Sequence, residues 1–137
     1  MSLCCIVDAS VVLKWFVEES GTSEAVALLN RQMPLAAPDL IIPETINAAW
    51  KSLTRGFMTA EQYEAVATLF PSLLAEIVPS STLALRASQM AKELNHAAYD
   101  CFYLALAEVR QANLVTADTR LLRRLVGTAY EETVKAL

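Results

Sequence analysis

Residues 3–7 read Leu-Cys-Cys-Ile-Val and close on Asp8. A short unbroken apolar run has no polar face to turn to water, so it reads as a strand covered on both sides, the situation of a parallel sheet. That run alone demands layers on both faces of the sheet. Asn113–Thr116 repeats the pattern and is followed by Asp118. Leu35–Ala37 and Glu76–Val78 are long enough only for brief strands. Helical spacing fills the intervals between them, so the chain is expected to be α/β: a three-layer sandwich with a central, mostly parallel β-sheet flanked by helices. At 137 residues it should form a single domain over 1–137.

The helix signals are local. Ser10 opens a helical pattern through Val11–Val17, and a turn-prone stretch follows at residues 18–22. Ser23–Arg31 resumes helical spacing with Ala25, Leu28 and Leu29, up to Pro34. Pro43 fits the first turn of a helix reaching Arg55, with Gly56 as its C-terminal cap. Thr59 and Gln62 are spaced as a capping box for a helix carrying Tyr63, Val66, Leu69 and Phe70, which Pro71 should stop. Leu83, Leu85, Ala87, Met90 and Leu94 lie on a further helix that breaks at Asn95-His96. Tyr99–Gln111 has almost no polar face before Glu108 and should lie deep in the core. Asp118–Val126 is expected to be the next helix, ended by Gly127, and the last ten residues carry no clear pattern.

Charge and hydropathy narrow the function. The 11 basic and 15 acidic residues give a formal charge of −4, which excludes a basic nucleic-acid coat. Hydrophobic residues reach 55%, more than one small core absorbs, so a partner or second copy is expected to cover part of the surface. The apolar helices at 23–29 and 59–70 are the candidates. Cys4, Cys5 and Cys101 are an odd number without ligand spacing and read as buried thiols of a reducing compartment. No basic leader precedes the first apolar run, and no run reaches membrane-spanning length. The expectation is a cytoplasmic protein with no membrane association.

Four acids stand out by position: Asp8 and Asp118 at strand ends, Glu44 after Pro43, and Asp100 at the head of the apolar helix. Each has an ordinary structural explanation as a helix cap or first-turn acid. Taken together they point elsewhere, because an unpaired carboxylate heading an apolar helix is costly to bury and a cation would offset that cost. Hard divalent ions such as Mg²⁺ or Mn²⁺ take oxygen ligands and keep several waters. These four acids equal in number the whole excess of acidic over basic residues. A phosphodiester would approach them only after a metal had neutralised the charge.

Val-Asp-Ala-Ser at 7–10, Pro-Glu at 43–44, Tyr-Asp-x-x-Tyr-Leu-Ala-Leu-Ala at 99–107 and Val-Thr-Ala-Asp at 115–118 together resemble the PIN-domain ribonucleases, most closely the VapC-type toxins of bacterial toxin–antitoxin pairs. The likeness spans essentially the whole chain. It implies metal-dependent endoribonuclease activity, with Asp8, Asp100 and Asp118 holding Mg²⁺ or Mn²⁺ and Glu44 binding a second ion or orienting the attacking water. It further implies a homodimer and a cognate antitoxin that blocks the site. Ser10 and Thr116 match positions lining the family pocket, where they would hydrogen-bond a carboxylate or phosphate. Asn47, three residues after Glu44 on the same helical face, is expected to orient that carboxylate.

Arg120, Arg123 and Arg124 are the leading candidates for contacts to RNA, with Lys14 and Lys51 behind them, against the alternative of an ordinary solvated helix face. His96 invites a general-base role, yet no Ser or Cys motif accompanies it, and it reads better as a hydrogen-bonded surface or packing residue. Other acid-based folds fit less well. A haloacid-type phosphatase needs a second carboxylate where Ser10 stands, and a phosphate receiver domain needs paired acids after the first strand and a late Lys. Gly21, Gly56 and Gly127 are too scattered for a phosphate-cradling loop. Two rival readings keep the fold: an inactive protein-binding module, and an RNA-maturation nuclease without a toxin role. An antitoxin gene directly upstream would separate the last from a toxin.

Overall fold

A computed structural model describes residues 4–137. Leu3, with which the first strand was expected to begin, lies outside the described residues. Among the described residues, five short strands form one sheet: β1 (Cys5–Val7), β2 (Leu35–Pro38), β3 (Glu76–Val78), β4 (Asn113–Thr116) and β5 (Val134–Ala136). Their spatial order is β3-β2-β1-β4-β5, and every neighbouring pair is parallel. The sheet is thus wholly rather than mostly parallel. Central β1 is buried at all three positions, as its apolar run requires. The chain steps from β1 outward to β2 and β3, then returns to the other side of β1 with β4. Such a reversal marks the carboxyl ends of β1 and β4 as the place where open α/β sheets take their ligands.

Among the described residues, seven α-helices flank the sheet. The first, α1 (Ala9–Val12), is a single turn that tightens into a 3₁₀ turn at Leu13–Trp15, so it ends short of the expected Val17. Gly21 then takes φ 91°, a left-handed conformation that admits the sharp entry into α2 (Thr22–Asn30). Next come α3 (Ile41–Thr54) and α4 (Ala60–Leu73), which pack on each other. Thr59 and Gln62 form the expected capping box. Pro71, however, does not stop α4. It forgoes its N–H bond to the preceding turn, but its fixed φ is helical and only Ser72 and Leu73 follow it in the helix.

Behind them, α5 (Ala84–Leu94) packs on α6 (Ala98–Arg110), and α6 lies against β1, β2 and β4. With the sheet on one side and α5 on another, α6 buries Cys101 and every residue from Tyr103 to Ala107. That accounts for its lack of a polar face. Asp118 caps a shorter helix than expected, α7 (Thr119–Arg124). β5 arises from the ten residues without a pattern. It is an edge strand in which only Val134 is buried, so no apolar run marks it.

Candidate active site

Asp8 follows the last residue of β1 and is only 8% exposed. Its two carboxylate oxygens are held separately. Oδ1 accepts the Ser10 backbone N–H at 3.1 Å and the Ser10 hydroxyl at 2.5 Å, while Oδ2 accepts the Thr116 hydroxyl at 2.5 Å. The same two hydroxyls also receive backbone N–H groups from the β4 exit: Ser10 Oγ accepts from Ala117 at 3.0 Å, and Thr116 Oγ1 from Asp118 at 3.0 Å. The loops leaving β1 and β4 are therefore stitched together through the carboxylate, and both bridging groups come from the residues singled out as pocket lining.

Glu44 and Asp100 occupy the first turns of α3 and α6, where the positive end of a helix favours an anion. Glu44 Oε1 accepts the hydroxyl of Tyr103 at 2.7 Å, and Asp100 Oδ2 pairs with His96 Nε2 at 2.7 Å. Asp100 and Tyr103, three residues apart, share one face of α6, and His96 reaches Asp100 from the turn between α5 and α6, just before the helix begins.

Electrostatics ties the cluster together. Burial pushes the Asp8 carboxyl above its ordinary range despite its hydrogen bonds to Ser10 and Thr116, and the charge of Asp100 pushes it the same way. Glu44 is raised by burial, then by the charges of Asp100 and Asp8, against the lowering effect of its Tyr103 bond. Burial and the neighbouring Glu44 keep the Tyr103 phenol protonated far beyond the usual range, so it remains a donor. Among the described residues, no Lys or Arg forms an ion pair with Asp8, Glu44, Asp100 or Asp118.

Asp118 is placed differently. Its Oδ1 accepts the backbone N–H groups of Arg120 at 2.9 Å and Leu121 at 3.3 Å, which makes it the N-cap of α7, joined to the cluster through Thr116. Among the described residues, no group of three or more His, Cys, Asp or Glu side chains is arranged to hold a metal ion. The donor chemistry nevertheless fits Mg²⁺ or Mn²⁺: hard oxygen ligands, no Lys or Arg among the described residues paired with them, and ions that need only one or two direct carboxylates beside water.

The remaining predicted residues divide by what holds them. Asn47 is exposed on α3, and the partner of Glu44 is Tyr103 instead. Lys14 Nζ is engaged by Glu19 Oε1 at 2.9 Å and the Ser20 carbonyl at 2.7 Å. The Arg124 guanidinium donates to the carbonyls of Leu94 at 2.6 Å and Asn95 at 3.0 Å, closing the end of α5. Arg120, Arg123 and Lys51 are exposed. Sequence reasoning gave Tyr103 no role and His96 only a hydrogen bond without a named partner. The three-residue spacing of Asp100 and Tyr103 on one helix was the available signal for Tyr103.

The PIN-domain family model matches residues 5–126. Ribonuclease VapC3 of Pyrobaculum aerophilum is 26% identical over 118 residues, covering 85% of this chain and 90% of that protein. Among solved structures, a toxin–antitoxin complex from Klebsiella pneumoniae superimposes with a TM-score of 0.68 at 21% identity, covering 96% of this chain and 95% of that one. DNA-bound VapBC from Salmonella typhimurium gives 0.66 at 22% identity and 98% of each chain. With that match running from the first buried strand through the loop carrying Asp118 and beyond α7, the chain belongs to the PIN-domain family.

Proposed function

We propose that this chain is a divalent-metal-dependent endoribonuclease, the toxin component of a VapBC-type toxin–antitoxin pair, acting in the cytoplasm. The observation that carries the reading is the mutual repulsion of Asp8, Glu44 and Asp100, three carboxylates from three elements, without a Lys or Arg to balance them. Similarity to a ribonuclease and to toxin–antitoxin structures supports it.

Asp8, Glu44, Asp100 and Asp118 would hold Mg²⁺ or Mn²⁺. Once bound, such an ion supplies Lewis-acid stabilisation of the scissile phosphate and lowers the pKa of water. The chain's own groups do the rest. Ser10 and Thr116 fix the plane of the Asp8 carboxylate, so little reorganisation is needed when charge arrives. Glu44 is held at Oε1 by Tyr103, leaving Oε2 to orient a water or accept its proton, and a carboxylate raised by burial is the better base. Arg120, Arg123 and Lys51 would meet RNA phosphates as exposed cations.

The partners are an RNA substrate, a cognate antitoxin and a second copy of the chain. Apolar side chains left exposed on α3 and α4 support a covered face there: Trp50 at 50%, Leu69 at 53% and Leu73 at 40%. Among the described residues, no helix is long and apolar enough to cross a membrane.

The test is cleavage of a structured RNA panel with Mn²⁺ or Mg²⁺ by wild type, Asp8→Asn and Asp100→Asn, with EDTA as control. Metal-dependent cutting lost in both variants is expected. Equal residual activity in all three would sink the nuclease reading and favour an inactive binding module.

A further inference from the structure

Of the 11 Lys and Arg side chains, Lys14, Arg86, Arg110 and Lys135 are paired with Glu residues and Arg124 with two carbonyls. Among the described residues, Arg31, Lys51, Arg55, Lys92, Arg120 and Arg123 form no ion pair or side-chain hydrogen bond. Their placing is uneven. Arg120 and Arg123 lie on α7, which Asp118 caps, and Lys51 and Arg55 lie along α3, which carries Glu44 in its first turn.

The α3 cations stand in line with the acid. Asn47, Lys51 and Arg55 follow Glu44 at three, seven and eleven positions, the spacing of one helical face, and all three are exposed. Arg55 caps the helix, and its N–H still bonds the Lys51 carbonyl at 3.1 Å, so it continues that face. A rise of 1.5 Å per residue puts Lys51 about 10 Å and Arg55 about 16 Å beyond Glu44 along the axis. Lys51 and Arg55 are four positions apart, where like charges repel, and among the described residues no carboxylate pairs with either. One cation already complements the end of the helix dipole, so the second adds repulsion that an anion from outside relieves. Trp50 lies about 100° round the helix from Lys51, so the apolar face and this row do not coincide.

We propose that the row is a phosphate track: an RNA strand whose scissile phosphate lies at the acid cluster runs along α3, with Asn47 bonding its backbone and Lys51 and Arg55 each meeting a phosphate. The inference rests on the endoribonuclease reading. A row one side chain wide fits a single strand. At roughly 3.4 Å per stacked nucleotide, Arg55 meets the backbone about five nucleotides from the cut.

The experiment is fluorescence anisotropy of labelled single-stranded RNA over a salt series in EDTA, with wild type, Lys51→Gln, Arg55→Gln, the charge-keeping Arg55→Lys, and Arg31→Gln. Arg31 is the control, since it precedes β2 at the amino ends of the strands, away from the acids. Lys51→Gln and Arg55→Gln should each lower the slope of log affinity against log salt by about 0.7, the value for one phosphate of a single strand. Arg55→Lys should keep the slope of wild type, and so should Arg31→Gln. Cleavage with Mn²⁺ then locates the contact: Arg55→Gln should raise KM for a long RNA with kcat kept, and change nothing for an RNA ending about two nucleotides either side of the cut. Unchanged slopes in both α3 variants, an equal fall in Arg31→Gln, or an equal KM effect on the short RNA overturns the proposal. Variants that lose self-association while binding RNA like wild type would make the row a protein contact and overturn it too. Wild type that binds no RNA overturns the nuclease reading and this inference together, whereas wild type that binds RNA without cutting it overturns the nuclease reading and leaves the slopes to decide the contact. Should one Gln variant fail to fold, the other decides.

Discussion

Thr116 and Asp8 lie 108 positions apart, yet the Thr116 hydroxyl donates to Asp8 Oδ2 while accepting the backbone N–H of Asp118. One hydroxyl thereby joins the exit of β1 to the cap of α7. Replacing Thr116 with Val keeps the shape and removes both bonds, leaving a buried carboxylate oxygen and an N–H without partners. Stability should fall by about 1–3 kcal/mol, the usual penalty for stranding buried polar groups. Urea unfolding in EDTA checks this, and a change below a few tenths of a kcal/mol would show that water replaces the hydroxyl. Ser10→Ala should behave alike, since it removes the mirror-image bridge to Ala117.

The pH dependence has a definite sign. Folding raises the carboxyls of Asp8 and Glu44 above their ordinary values of 3.8 and 4.5, so the folded chain holds protons that the unfolded chain has released. Stability from the protonated forms is present below those ordinary values and is lost as pH rises through the folded-state pKa. In EDTA, Glu44→Gln should lose less stability over that rise and melt a few degrees above wild type at pH 7. Thermal unfolding from pH 4 to 8 measures it, and saturating Mn²⁺ should close the gap by stabilising wild type. Curves that run parallel at every pH would remove the burial argument for Glu44.

The three arginines of α7 should separate. Arg124 holds the carbonyls that end α5, so Arg124→Ala is expected to cost about 1 kcal/mol of stability with little effect on RNA affinity. Arg120 and Arg123 are exposed and make no ion pair among the described residues. Alanine at either should lower the slope of log affinity against log salt by about one unit while leaving stability unchanged. Fluorescence anisotropy with labelled RNA over a salt series distinguishes the two outcomes.

The C-terminal strand supports the site from behind. The Leu137 N–H donates to the Thr116 carbonyl at 3.0 Å, and β5 pairs with β4 from Leu114 to Thr116. Removing residues 134–137 strips that edge and the buried side chain of Val134. The expected outcome is a marked fall in melting temperature together with weaker Mn²⁺ binding, because Thr116 would no longer be held against Asp8. A truncated chain that melts and binds like wild type would show that β5 is dispensable.

Much of the architecture was legible because it is written in short-range patterns. An apolar run ending in Asp marked β1, Thr59 with Gln62 marked the start of α4, and the missing polar face of residues 99–111 marked a helix enclosed by neighbours. Pro71 misled because its fixed φ is itself helical, and α4 runs only two residues past it. The strand at Val134–Ala136 was illegible because an edge strand with one buried residue looks like a polar tail until β4 supplies its hydrogen bonds.

The fold class and the placing of the four acids at strand ends and helix starts were readable along the chain, since both follow from patterns a few residues long. Which groups hold those acids emerges only from the folded chain. Tyr103 meets Glu44 across 59 positions and Thr116 meets Asp8 across 108, while Lys14 and Arg124 are claimed by carbonyls that no local spacing marks. The reason is physical. A hydrogen bond forms only where packing brings two side chains within about 3 Å, and for residues this far apart that meeting is set by the whole sheet and not by their neighbours in the chain.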